Sequence, residues 1–110
     1  MKCLEATRRR ALKSYLGLVA ALPPLDADAR AELEVRARRG DPGAVRALTE
    51  SYLGAVVDEA NALRGRGRRF EALIAVGNRA LAQALRAGWS GERVLSHVRA
   101  RLSAWVDSPR

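Results

Sequence analysis

Apolar residues recur every three to four positions along most of the chain, the spacing that gathers side chains on one face of an α-helix. Leu4, Ala11, Leu12, Tyr15, Leu16, Val19 and Leu22 trace such a stripe, so residues 2–22 predict a first helix, stopped by Pro23 and Pro24. Asp26 or Asp28 can cap a second helix, because a short carboxylate accepts from the free amides of the first turn. Ala29, Leu33, Val35 and Ala37 give that helix a modest apolar side, and Gly40 ends it. Asp41 followed by Pro42 is the clearest start signal: a capping carboxylate, then a proline where a missing N–H does no harm. Val45, Leu48, Tyr52, Val56, Ala60 and Leu63, widened by Leu53 and Val57, predict a third helix of roughly 21 residues as the spine of the fold. It closes at Gly65 and Gly67.

Phe70, Leu73, Ile74, Gly77, Leu81, Ala84 and Leu85 mark a fourth helix. A glycine inside a helix costs about 0.5–1 kcal/mol, so Gly77 predicts close approach by a neighbouring helix. Gly88 ends this segment, Ser90 is the expected cap of the last helix, and Val94, Leu95, Val98, Leu102, Trp105 and Val106 form its inner side. Nothing alternates like a strand, and the connections are short. The fold class expected is all-α, a compact orthogonal or bundle-like array of five helices forming a single domain over residues 1–110.

Composition agrees with this pattern. Hydrophobic residues make up 48% of the 110, enough for a core, but aromatics only 5%, so small side chains must fill much of it and helices pack closely. Cys3 is the sole cysteine, expected to be a free thiol, which excludes an internal disulfide. The apolar run from Leu16 to Pro24 is far below the ~20 residues that span a bilayer, and Lys13, Ser14 and Tyr15 interrupt any signal-like segment. The expectation is a cytoplasmic protein with no membrane partner.

Little in the chain supports catalysis. His97 is the sole histidine, and Glu92 stands five positions away on another side of the helix, so no metal site is expected. Asp58 and Glu59 are adjacent and point in different directions, unlike the facing carboxylates of a glycosidase; they suit a solvated helix surface. Ser51 and Ser96 have no histidine in register. Gly65-Arg66-Gly67-Arg68-Arg69 lacks the lysine-serine ending of a P-loop. The reading is a non-enzyme without cofactors.

Charge is more informative. The formal net charge is +8, and 18 of the 20 basic residues are arginine, whose planar fork suits phosphate and carboxylate. Three clusters stand out: Arg8, Arg9, Arg10 and Lys13; then Arg36, Arg38 and Arg39 with Arg46; then Arg64, Arg66, Arg68 and Arg69 around the double-glycine turn, with Arg79 beyond. In the third cluster Arg68 and Arg69 open a helix, where the helix dipole disfavours cations; an external anion would resolve that conflict. Arg64, Arg66, Arg68, Arg69 and Arg79 are thus the candidate nucleic-acid contacts, acting mainly on phosphates and with little sequence preference. The bland alternative is a solvated loop balanced by Glu71. Trp105 is expected in the core, and Trp89 in a turn docks on it.

A family resemblance sharpens these expectations. Gly40-Asp41-Pro42-Gly43-Ala44, Leu48-Thr49-Glu50-Ser51-Tyr52-Leu53, Val56-Val57, Ala60, Gly65-Arg66-Gly67 and Leu73-Ile74-Ala75-Val76-Gly77-Asn78-Arg79-Ala80-Leu81 follow one another in an order that resembles the bacterial sigma-70 family, over about residues 30–87. The resemblance is to the helical second region and the short helical region before it. It implies an all-α fold, a link to transcription, and a helix at Phe70–Leu85 that faces the clamp helices of RNA polymerase, with Ala72, Ala75, Val76, Asn78 and Arg79 as candidate protein-interaction residues. The chain departs from the family where Ala72 replaces an aspartate and Ala75-Val76 replace Gln-Glu, and it lacks the promoter-melting aromatic run and a −35-binding domain. The expectation is a sigma-like module that binds nucleic acid, DNA foremost, and is not a complete initiation factor. RNA polymerase and a second copy of the chain are further candidate partners; the alternative is a protein-interaction module with no nucleic-acid role.

Overall fold

A computed structural model describes residues 2–109, with side chains from residue 5 onward; Cys3 and Leu4 therefore lie outside the described side chains. The five helices are α1 (Lys2–Ala21), α2 (Ala27–Arg38), α3 (Pro42–Ala62), α4 (Phe70–Arg86) and α5 (Glu92–Asp107), and no strand occurs among the described residues. Asp26 caps α2 by accepting from the Ala29 amide at 2.7 Å. Asp41 caps α3 through Oδ1, which accepts from the Gly43 and Ala44 amides, while Arg36 donates from two nitrogens to Oδ2 at 3.0 and 2.8 Å. The Arg36 guanidinium, with the Ala44 amide next, holds the Asp41 carboxyl below the usual carboxylate range.

α3 is the spine: it packs against α1, α2, α4 and α5, and α4 also packs along α5. The buried stripe of α3 is Ala44, Leu48, Tyr52, Val56 and Ala60. Against it lie Leu73, Ile74, Gly77, Ala80, Leu81 and Ala84 of α4 and Val94, Val98 and Leu102 of α5. A Cβ built on Gly77 would come within 2.6 Å of Val56 Cγ1 and 3.6 Å of a Leu102 methyl, so the glycine marks a close approach of the three helices. α1 and α2 rest chiefly on α3, and the Cα radius of gyration of 15.0 Å exceeds the roughly 13 Å of a near-spherical chain of this length.

Three expected details differ. Ser90 does not cap α5: Gly91 takes that position with φ of 60°, a conformation suited to glycine, and its amide donates to the Tyr52 hydroxyl at 2.8 Å. That bond ties the start of α5 to the spine, and no side chain caps the helix. Val45 is 40% exposed because the buried stripe runs in steps of four from Ala44, which turns Val45 outward. Val35 is 41% exposed, and α2 buries no residue completely, since it touches the core on one side only.

Leu48→Ala and Ile74→Ala are each expected to destabilise the fold by about 2–4 kcal/mol in a denaturant titration. Gly77→Ala gains about 0.5–1 kcal/mol of helix propensity but forces apart stiff, β-branched Val56, typically a loss of about 1–3 kcal/mol, so net destabilisation is expected. A stabilised Gly77→Ala variant would contradict the close packing.

Candidate nucleic-acid interface

The α3–α4 connection turns on Gly65 and Gly67, whose φ values of 81° and 93° lie in the left-handed region that favours glycine. The arginines around it have unequal roles. Arg68 is half-buried, with its guanidinium 4.3 Å over the Trp105 ring. Its Nη2 donates to the carbonyls of Trp105 and Ser108 at 3.0 and 3.1 Å and to Ser108 Oγ at 3.0 Å. A cation on the last carbonyls of α5 is favoured by the helix dipole and satisfies acceptors that have no partner within the helix. For Arg68 the conflict expected at the start of α4 is therefore resolved from inside the molecule: it stands just before the N-cap, Arg69, and closes α5.

Arg64 is exposed, lies 4.3 Å over the Phe70 ring and reaches Asn61 Oδ1 at 3.5 Å. Arg69 pairs with Glu71 at 3.4 Å and Arg66 approaches Asp107 at 3.9 Å, both as exposed contacts that contribute little to stability. Arg79 is exposed on α4, away from the loop in sequence. The fold also brings in arginines that form a separate cluster along the chain. Arg8 and Arg9 of α1 line the same open groove as Arg64, Arg68 and Arg69, with Leu12, Gly65 and Phe70 also among its walls and Glu5 and Glu71 the two acids there; its volume is about 520 Å³. No sequence spacing signals this, because α1 and the loop are more than fifty residues apart and meet through tertiary packing.

The residues singled out on α4 divide likewise. Ala75 and Arg79 are exposed, while Ala72, Val76 and Asn78 are half-buried. Asn78 Nδ2 donates to the Tyr15 hydroxyl at 3.1 Å, which ties this face of α4 to α1. Glu59 is more than a solvated surface acid: it accepts twice from Arg99 of α5, at 3.1 and 2.9 Å, and holds that guanidinium still more firmly protonated than usual. Trp89 and Trp105 both pack against the core, with His97 edge-on to Trp89 at 5.2 Å. Among the described residues no group of three or more His, Cys, Asp and Glu is placed to hold a metal, and no helix is long and apolar enough to cross a membrane. Compared with protein-family profiles and with curated protein sequences, the chain finds no match in either.

Replacing Arg68 by alanine removes two carbonyl hydrogen bonds and an aromatic stack, and is expected to destabilise the fold by about 1–3 kcal/mol. Arg68→Lys should recover only part, since an ammonium keeps the charge but loses the planar face stacked over Trp105. A loss below ~0.5 kcal/mol on urea unfolding of the alanine variant would contradict this role.

Proposed function

We propose that the chain is a sigma-like, non-catalytic module that binds the phosphate backbone of nucleic acid, DNA foremost, with little sequence preference. The observation that carries this reading is the groove in which arginines of α1 and of the α3–α4 loop come together. Arginine forks match phosphate oxygens, and the net charge of +8 favours encounter with a polyanion. Few asparagines or glutamines are available to read bases, so contacts to the backbone dominate. The sigma-70 resemblance of residues 30–87 is a second, independent support for a transcription-associated role.

Fluorescence anisotropy with unrelated DNA duplexes at several salt concentrations tests the reading. Arg64→Ser, Arg66→Ser and Arg69→Ser are combined, and Arg68 is retained because it holds α5. The triple variant should weaken binding to all duplexes by similar factors and flatten the log–log salt slope by up to about 0.9 for each phosphate no longer neutralised. Equal affinities and slopes in both proteins would remove the loop from the interface. With core RNA polymerase, the protein alone is expected to give no promoter-specific transcripts, because Ala72, Ala75 and Val76 lack the polar pattern of the family and Asn78 is engaged by Tyr15. Specific transcripts would overturn that part.

A protein-interaction role is the second reading. It is favoured by an open, mainly apolar groove where exposed Val45, with Leu48, Leu85 and Trp89, lies between α2, α3 and the α4–α5 turn. Binding through that groove would depend only weakly on salt, which separates the two readings.

A further inference from the structure

Arg8 and Arg9 stand on α1, whereas Arg64, Arg68 and Arg69 belong to the α3–α4 connection, so the groove gathers like charges from two separate segments. Glu5 and Glu71 are the acids that line it, and Glu71 already pairs with Arg69. α1 is anchored towards its other end. Val19 is the one α1 side chain buried among the described residues, and Tyr15 takes the hydrogen bond from Asn78. Leu12 and Leu16 pack partly against the core, whereas Arg8, Arg9 and Arg10 are exposed. Among the described side chains of this half, residues 5–10, none is buried, and Arg8 and Arg9 face a wall of their own sign. An anion between the two walls converts that repulsion into attraction on both sides.

We infer that this groove is a two-sided clamp for a run of phosphate groups. Arg8 and Arg9 hold the backbone from α1, Arg64 and Arg69 hold it from the loop, and binding draws the N-terminal half of α1 onto the rest of the fold. The inference rests on the nucleic-acid reading above and adds to it the opposed roles of the two walls and a structural response. Arg68, committed to α5, acts as a positioning residue that fixes the loop wall. A run of phosphates can come from a nucleic acid or from inorganic polyphosphate, and the two sources are tested separately.

Hydrogen–deuterium exchange over residues 5–12 is measured in the free protein, with a short DNA duplex and with inorganic polyphosphate; anisotropy with the duplex is measured for wild type and for the Arg8→Ser/Arg9→Ser variant. The clamp predicts slower exchange of this segment with the duplex. Protection by polyphosphate as well would show that phosphates suffice, and protection by the duplex alone would assign the clamp to nucleic acid. The double variant should retain its helical spectrum, bind about threefold to tenfold more weakly, and show a salt slope flatter by about 0.9 for each phosphate that α1 no longer neutralises. Duplex binding with unchanged exchange and no loss in the double variant would overturn the clamp while leaving the nucleic-acid reading intact. No binding at low salt would overturn both. Equal protection by poly-glutamate would overturn the assignment to phosphate in favour of an acidic protein partner.

Discussion

The missing methyl group at position 77 sets the distance at which α4 lies against α3 and α5. Val56 occupies the space a Cβ would need, and Leu102 closes the same spot from the other side. With so few aromatic side chains, the core fills by close helix approach rather than by bulk, and Ala44, Ala60, Ala80 and Ala84 are buried beside the larger Leu73, Leu81 and Leu102. Once α4 is held there, the loop before it has a fixed place over the end of α5, where Arg68 reaches the Trp105 and Ser108 carbonyls. Tyr52 performs the corresponding task at the other end of α5, through its hydroxyl bond to the Gly91 amide and the Arg30 guanidinium over its ring at 4.8 Å.

The surplus of arginine divides between structure and surface. Arg36, Arg68 and Arg99 are directed to partners within the fold: a capping aspartate, the carbonyl end of α5, and Glu59 across α3 and α5. Arg99 spreads its fork over Glu59 and Glu92, Arg36 converges two nitrogens on one oxygen of Asp41, and Arg68 stacks its plane on Trp105 while one nitrogen serves three acceptors, arrangements an ammonium reproduces less well. Arg8, Arg9, Arg64, Arg66 and Arg69 have no such strong claims on them and remain exposed. Net charge therefore overstates what is free to meet a ligand, yet the exposed share is gathered rather than scattered. The gathering follows from where α1 lies relative to a loop that Arg68 holds in place.

Local physics makes much of the fold legible in the sequence. Asp26, Asp41 and Pro42 announce helix starts by chemistry that needs only their immediate neighbours, and Gly77 signals a close approach because glycine inside a helix needs a compensating reason. Ser90 misleads because the helix starts one residue later, from Gly91, whose φ of 60° suits glycine and whose amide is held by Tyr52, distant in sequence. Val45 misleads because a stripe of step four drifts around the helix, so the buried line starts one residue earlier, at Ala44. In the candidate site, the exposed arginines are readable as a cluster, but the task of Arg68 is not, since its acceptors lie about forty residues further on. The union of Arg8 and Arg9 with the loop is hidden for the same reason: spacing carries no information about which segments meet in space.

The assignment of the arginine groove as the phosphate-binding surface is tested most directly by nuclear magnetic resonance. A ¹H–¹⁵N titration of the folded protein with a short DNA duplex at low salt, followed on backbone amides and arginine Nε–Hε groups, locates the binding surface without any substitution. The largest changes should fall on Arg8, Arg9, Arg64 and Arg69 and on the amides of Gly65 and Gly67, and should fade as salt is raised. Changes centred instead on Val45, Leu85 and Trp89, or none at all, would contradict it.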